Sequence, residues 1–213
     1  MINKEGEILR LFSKEPWKKF IFADIQKLTK KKSKSYLSGV LANFVNQNIL
    51  LLERIGRSLI YSLNLNFPKA RIYAGFILEN EGWGKKNLPY KKITELMEKI
   101  PTKNYILLTA GSYVENKQKP TSDLDIVIVI EDSMESRKVY AELNSFCELS
   151  IPQIHLYVFR NNEFLEMLTN KEHNYGKEIA NKNLLLHGGE IYMQIIREAI
   201  DNGFTNKNFY WES

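Results

Sequence analysis

The sequence predicts an α+β protein in two parts, and two patterns along the chain carry that prediction. In residues 1–66, apolar side chains recur at helical spacing in three successive segments and then at strand spacing in two. From residue 91 onward, short apolar runs of strand length alternate with amphipathic helical segments. The expected architecture is a small helical domain that ends in a β-hairpin, followed by a domain with a mixed sheet flanked by helices.

Three helices are predicted in the first part of the chain. The first two cover residues 4–12 and 23–29, and Pro16 ends the first because proline cannot continue the helical hydrogen-bond pattern. Ser33 or Ser35 can cap the third helix, since a serine side chain accepts a hydrogen bond from a free N–H of the first turn. The apolar positions of this third helix follow the i, i+3, i+4, i+7, i+8 rule, namely Leu37, Val40, Leu41, Phe44 and Val45.

Two β-rich runs follow these helices, at residues 49–54 and 58–63, and Gly56 between them predicts a hairpin. Three helices followed by a hairpin are the plan of a winged helix-turn-helix. Residues 33–63 resemble prokaryotic winged-helix regulators from the recognition helix to the wing.

The winged-helix resemblance implies duplex DNA as a partner. Such a helix places its N-terminal residues in the major groove, and phosphate contacts set its orientation. The residues that the resemblance assigns to DNA are Lys31, Lys32, Lys34, Ser35, Tyr36, Ser38, Arg54 and Arg57. Inward packing of Tyr36 is an alternative, and some winged helices dimerise or bind protein instead.

Charge is unevenly distributed along the chain. Residues 1–70 hold 13 Lys and Arg against 5 Asp and Glu, a net charge of +8, whereas the remainder holds 17 against 20, a net charge of −3. Such asymmetry indicates a polyanionic partner for the first part. A solvated basic face without a partner is the alternative.

Residues 67–90 are predicted to connect the two parts, and an apolar patch at 72–78 predicts that this connection is partly structured. The residues that indicate a connection are Pro68, Gly75, Gly82, Gly84 and Pro89. The second part, residues 91–213, then follows in a predicted order of helix 91–100, strand 105–110, strand 126–130, helix 134–149, strand 151–159, an apolar stretch at 178–186 and a final helix at 191–200.

The most informative stretch of the chain is residues 111–130. Gly111 and Ser112 form a turn after an apolar run, and ten residues separate Ser112 from Asp123. Strand alternation puts Asp123 and Asp125 on one face at the start of the next strand. Two adjacent carboxylates repel each other unless a cation lies between them. Hard oxygen ligands in this arrangement predict Mg²⁺, or Mn²⁺, shared with the phosphates of a nucleotide.

This arrangement resembles the polymerase-beta-type nucleotidyltransferase superfamily, and within it the minimal nucleotidyltransferases of archaea and bacteria. The resemblance implies a nucleoside triphosphate substrate, with Mg²⁺ or Mn²⁺ held by Asp123 and Asp125. It also implies transfer of a nucleoside monophosphate to a hydroxyl of a small molecule or a protein, for example a tyrosine of a toxin. The residues assigned to the nucleotide are Gly111, Ser112, Lys117, Lys119 and Ser122.

Two positions depart from the family pattern. Members commonly carry Arg-Gly shortly after the Gly-Ser pair, where this chain has Glu115 and Asn116, and a carboxylate would repel a triphosphate. The third family carboxylate falls on His155, which alternation places toward the acidic pair. Neutral imidazole binds metals or accepts a proton, so His155 joins the two aspartates as a predicted catalytic residue. A hydrogen-bonded structural histidine is the alternative.

Two functions therefore remain open. One is a Mg²⁺-dependent nucleotidyltransferase coupled to DNA binding, antitoxin-like in its acceptor. The other is a DNA-binding transcriptional regulator whose degenerate nucleotidyltransferase domain senses nucleotide or mediates homodimer formation. The intact Asp123-x-Asp125 pair favours the first, and Glu115 and His155 favour the second.

Composition predicts the compartment. The single cysteine, Cys147, excludes an intramolecular disulfide and a cysteine-based zinc site, in keeping with a reducing environment. The first residues are polar where a signal peptide needs an apolar core, and there is no apolar run of about 18 residues. We expect a cytoplasmic protein without a membrane segment.

Overall fold

Three helices and a three-stranded antiparallel sheet form the N-terminal part of the computed structural model, which describes residues 4–204. The helices are α1 (Lys4–Lys14), α2 (Phe22–Thr29) and α3 (Lys34–Asn46), and the strands are β1 (Phe20–Ile21), β2 (Leu50–Ile55) and β3 (Ser58–Leu63). The strand order is β1-β3-β2. The three predicted helices and the hairpin are present, whereas the assignment of this part to the winged helix-turn-helix fold stays a prediction.

Strand β1 was not predicted, because two residues are too short to show any periodicity. It pairs with β3, where Phe20 lies opposite Tyr61. At the start of α3, Ser33 rather than Ser35 is the cap, and its Oγ accepts a hydrogen bond from the N–H of Tyr36 at 3.2 Å.

A four-stranded mixed sheet lies at the centre of the C-terminal part, with strand order β6-β5-β4-β7. Its strands are β4 (Tyr105–Thr109), β5 (Leu124–Ile130), β6 (Ile154–Arg160) and β7 (Leu184–His187). Strand β4 is antiparallel to β5 and β7, and β5 is parallel to β6. The remaining helices are α4 (Pro68–Trp83), α5 (Tyr90–Met97), α6 (Gly111–Glu115), α7 (Ser136–Glu148), α8 (Asn161–Thr169), α9 (Tyr175–Asn181) and α10 (Gly189–Asp201). The predicted mixed sheet flanked by helices is confirmed.

Strand β5 is covered on both of its faces. Ile126 and Ile128 face the layer of α5 and α7, whereas Val127 and Val129 face the layer of α4, α8 and α10. All four side chains are fully buried, which explains the uninterrupted apolar run in the sequence. By the same alternation, Asp125 points to the side of Val127, so the end of β5 presents this carboxylate toward the second layer.

Most of the predicted connecting segment is the 16-residue helix α4. Pro68 occupies a first-turn position, where its missing N–H costs nothing. A methyl group on Gly75 would lie 2.4 Å from the carbonyl carbon of Gly189, and one on Gly82 would lie 2.1 Å from the carbonyl oxygen of Leu185. These glycines therefore permit close packing of α4 on α10 and on β7, although in the sequence they indicate a turn-rich connection.

Helix α4 joins the two parts through one hydrophobic cluster. Ile8 and Phe12 of α1, Ala74 and Ile77 of α4, and Met193 of α10 all belong to it. The ammonium of Lys14 lies 2.6 Å from Glu81 of α4, and Arg10 lies 3.6 Å from the same carboxylate. Apolar contact and ion pairs thus attach the N-terminal helices to the nearer face of the sheet.

Helices α8 and α9 were not predicted. The stretch expected at 178–186 is divided between the end of α9 and the strand β7. Helix α9 is only seven residues long, and its one sequence signal is Asn174, whose side chain accepts a hydrogen bond from the N–H of Lys177. The final residues of the predicted 91–213 domain extend beyond the described range. Within that range, none of the helices combines the length and apolar character needed to cross a membrane.

Candidate functional site

The turn after β4 brings Gly111 against Asp125. Gly111 has a φ of +68°, a left-handed conformation that favours glycine. A methyl group at this position would lie 2.0 Å from Oδ2 of Asp125, so only glycine leaves space for the carboxylate. The N–H of Ala110 donates to the carbonyl oxygen of Asp125 at 3.1 Å and holds the turn on the strand. The predicted proximity of the Gly-Ser turn to the acidic strand is therefore a direct contact.

The two aspartates differ in exposure. Asp123 immediately precedes β5 and is exposed, whereas Asp125 is half-buried. Burial raises the pKa of the Asp125 carboxyl above its ordinary value, His155 opposes this shift, and the negative charge of Asp123 adds to it. The charge of Asp123 thus opposes ionisation of Asp125, and a bound cation would relieve this repulsion.

His155 occupies the position directly beside Asp125 on the neighbouring parallel strand. Its Nδ1 lies 3.4 Å from Oδ1 of Asp125, as strand alternation predicts. The hydroxyl of Tyr157 lies 3.3 Å from the same nitrogen, and the ring of Tyr157 packs 4.6 Å from that of Tyr175. Burial raises the pKa of the Tyr175 hydroxyl. Sequence reasoning missed both tyrosines, and alternation along β6 is a signal that could have found Tyr157.

Glu115 is paired with two lysines. Its Oε2 accepts from Lys117 at 3.0 Å, and its Oε1 accepts from Lys182 at 2.8 Å. Hydrogen bonds from Lys182 and then Lys117 lower the pKa of Glu115 to about 2. The sequence suggests an isolated carboxylate that would repel a triphosphate, but two ammonium groups outweigh its charge. Lys182 was missed because it follows α9, far away in the sequence.

Several of these groups line one cleft of about 550 Å³. Of the predicted residues it collects Gly111, Ser112, Lys117 and Asp125, together with the unpredicted Tyr157, Tyr175 and Lys182. His155 and Asp123 are exposed beside Asp125. Lys119 and Ser122 lie in the loop before β5 instead, where the Ser122 hydroxyl accepts a hydrogen bond from the N–H of Lys119 at 2.8 Å.

Residues 90–185 match the family model of the nucleotidyltransferase domain. The matched range runs from the start of α5 into β7, so it contains the Gly-Ser turn, both aspartates, His155 and Lys182. The resemblance to nucleotidyltransferases is confirmed for this part of the chain. No curated protein matches the chain significantly. A solved structure described as the crystal structure of the toxin-antitoxin with AMP-PNP is similar at 15% identity and a TM-score of 0.40, over 54% of this chain and 86% of that chain.

The donor set of the nucleotidyltransferase domain suits a cation that is shared with phosphate. Among residues 4–204, no three His, Cys, Asp or Glu side chains are arranged to hold a metal ion by themselves. Mg²⁺ commonly takes one or two carboxylates and completes its shell with water and phosphate oxygens. Asp123 and Asp125 provide such a pair, and Gly111 leaves the room that the Asp125 carboxylate occupies. The imidazole of His155 is a poor Mg²⁺ ligand.

Most of the residues predicted to contact DNA are exposed. In the loop before α3, on α3 and on the hairpin these are Lys32, Lys34, Ser35, Tyr36, Ser38, Arg54 and Arg57. Tyr36 is 37% exposed, so the structure favours the outward orientation over inward packing. Lys31 instead makes an ion pair with Glu7 of α1. DNA binding itself stays a prediction.

Proposed function

We propose that this protein is a Mg²⁺-dependent nucleotidyltransferase that transfers a nucleoside monophosphate from a nucleoside triphosphate to a hydroxyl group, and that its N-terminal part binds duplex DNA. The observation that carries the proposal is the contact of Asp125 with Gly111 in a cleft within the nucleotidyltransferase domain. The acceptor is a protein hydroxyl, such as a toxin tyrosine in an antitoxin-like system, or a small-molecule hydroxyl.

Residues that line the cleft, and Asp123 and His155 beside it, have separate roles in this reaction. Ser112 and Lys117 bind phosphate oxygens, since both line the cleft beside Asp125. A divalent cation held by Asp123 and Asp125 supplies charge neutralisation at the phosphates. The acceptor oxygen forms a bond to the α-phosphorus as pyrophosphate leaves, and its proton passes to the imidazole of His155 or to water. Positioning and charge stabilisation account for most of the rate in transfers of this kind.

Ligand-induced stabilisation tests the nucleotide site. A ligand that binds only the native state raises the melting temperature, so ATP with Mg²⁺ is expected to raise that of the wild type. Replacing Asp123→Asn and Asp125→Asn together is expected to abolish the shift, because neutral amides do not hold the cation against water. Glu142→Gln, which changes an exposed carboxylate on α7, is the control. A double variant that responds like the wild type would remove these aspartates from the site.

A second function is favoured by one observation, the imidazole in place of a third carboxylate beside Asp125. In that case the domain binds nucleotide without transferring it, and the protein is a DNA-binding regulator that senses nucleotide or dimerises through this domain. Incorporation of labelled nucleotide into a cell lysate separates the two functions. Binding without incorporation selects the regulator, and the labelled fraction identifies the acceptor as protein or small molecule.

A further inference from the structure

We propose that Glu115 is an internal substitute for nucleotide phosphate, and that Lys182 and Lys117 bind the triphosphate once it displaces Glu115. This inference rests on the proposed nucleotidyltransferase function. It adds Lys182 as a phosphate-binding residue. It also adds an autoinhibitory contact, in which Glu115 occupies the two lysines while no nucleotide is bound.

The geometry around Glu115 is that of an anion held at two points. Lys117 and Lys182 each donate to a different oxygen of the carboxylate, at 3.0 and 2.8 Å. A phosphate group presents oxygens that accept charge-assisted hydrogen bonds in the same way. The two lysines come from different places in the chain, one after α6 and the other after α9, and Lys182 is 67 residues from Glu115.

The location of the cluster separates it from an ordinary surface ion pair, which contributes little by itself. Glu115, Lys117 and Lys182 all line the cleft that contains Ser112 and Asp125. A triphosphate whose α-phosphate lies near Asp125 must place its other phosphates within this same cleft. The lysines beside Glu115 are the cations available to meet them there.

The two lysines are also free to change partners. The Lys117 and Lys182 side chains are 73% and 71% exposed, and lysine carries a compact charge on a flexible stem. With a pKa of about 2, Glu115 is ionised at neutral pH and competes with phosphate for both ammonium groups. A triphosphate carries more negative charge and more acceptor oxygens than one carboxylate, so it displaces Glu115.

Opposite effects of two substitutions test the inference. The full-length protein is titrated with ATP and Mg²⁺ by calorimetry, and separately with inorganic triphosphate, which lacks the nucleoside. Lys182→Ala is expected to weaken binding of both ligands roughly tenfold, because it removes a charge-assisted hydrogen bond. Glu115→Gln is expected to tighten both about threefold, because the competing anion is removed.

Lys138 of α7 and Glu135, which immediately precedes this helix, supply matched controls. Lys138 is also 71% exposed and lies 2.7 Å from Glu135, outside the cleft. Lys138→Ala and Glu135→Gln therefore remove one member of a similar ion pair and are expected to leave both affinities unchanged. In Lys182→Ala protein, Glu115→Gln is expected to give a smaller gain than in the wild type, since one of the lysines that it releases is absent.

The outcomes distinguish this inference from the proposed function. Binding that is lost on substitution of Asp123 and Asp125 but is the same in Lys182→Ala as in Lys138→Ala overturns the inference alone. Unchanged or weaker binding by Glu115→Gln also overturns it. Absence of ATP binding by both the wild type and Glu115→Gln overturns the inference together with the proposed nucleotide site.

Discussion

Single side chains around Asp125 determine what chemistry the cleft supports. Nδ1 of His155 lies 3.4 Å from Oδ1 of Asp125 and 3.3 Å from the hydroxyl of Tyr157. One imidazole therefore contacts both an aspartate of the acidic pair and a tyrosine of the cleft. Imidazole adds no negative charge at neutral pH when it is unprotonated. A cation beside Asp125 therefore has two carboxylates to bind, and the third position offers a proton acceptor instead.

Replacing His155→Asp is expected to raise the rate of nucleotide transfer, because a third carboxylate strengthens the hold on the cation and is itself a base. A general base contributes roughly 10²–10⁴-fold, so a change of this kind is readily measured. The measurement is incorporation of labelled nucleotide at saturating ATP and Mg²⁺, with Asp123→Asn as the inactive control. Strong wild-type transfer that is lost in His155→Asp would instead make the imidazole the functional group.

Cys147 offers a test of packing at the back of the sheet. The side chain is fully buried, and burial raises the pKa of its thiol to about 11. Because the thiolate is the reactive form, the folded protein is expected to resist a thiol reagent at pH 8, while the urea-unfolded chain reacts rapidly with one equivalent. Equal rates in the two states would contradict the burial of this residue.

Helix α4 contributes to the support of the site from a distance. It packs against α1 on one side and against β7 and α10 on the other, and the segment between β7 and α9 carries Lys182. The approach of α4 is close because Gly82 places backbone against the carbonyl oxygen of Leu185. The packing of α4 on β7 thus helps to position Lys182, because this lysine lies just before β7 in the chain.

Replacing Gly82→Ala is expected to destabilise the protein by about 1–3 kcal/mol, because the added methyl group cannot be accommodated without moving backbone. Gly39 is the matched control. It is exposed within α3 with no atom near its missing methyl group, so Gly39→Ala is expected to stabilise by about 0.5–1 kcal/mol. Urea unfolding measures both changes, and a neutral Gly82→Ala would contradict the close approach of α4.

The two parts of the molecule differ in net charge, although they are packed against each other. The N-terminal part carries the excess of Lys and Arg, yet it shares a continuous hydrophobic cluster with one face of the C-terminal sheet. The basic surface and the cleft therefore lie on parts that are packed together. Exposed Lys32, Lys34 and Arg57 make the basic surface accessible to a duplex.

Replacing Lys32, Lys34 and Arg57 with alanine is expected to weaken binding to duplex DNA and to flatten its salt dependence. Each lost phosphate contact lowers the slope of log affinity against log salt by about 0.9, so three contacts lower it by up to about 2.7. In the control variant, alanine replaces Lys91, Lys103 and Lys138. These substitutions remove the same amount of charge from exposed positions of the C-terminal part. If both triple variants keep the wild-type slope, this surface does not bind DNA.

Local sequence patterns were sufficient to predict those features in which the order of apolar and polar residues within one segment shows which side chains are buried. The apolar stripe of α3 and the alternation that places Asp125 on the opposite face of β5 from Ile126 and Ile128 are periodicities within about 20 residues, and both are present as predicted. The facing of His155 and Asp125 was also predictable, because alternation and one parallel pairing suffice to bring them together.

Features that depend on distant packing were not accessible in this way. Glycines such as Gly75 and Gly82 occur both in flexible connections and in tightly packed helices, so the sequence alone does not distinguish these two structures. The residues that pack against α4 distinguish them. The ion pair of Lys182 with Glu115 joins residues 67 positions apart, through a strand order and a short helix that no periodicity encodes. Local burial patterns record which side of an element is covered, whereas the identity of the covering residues is set by packing over the full fold.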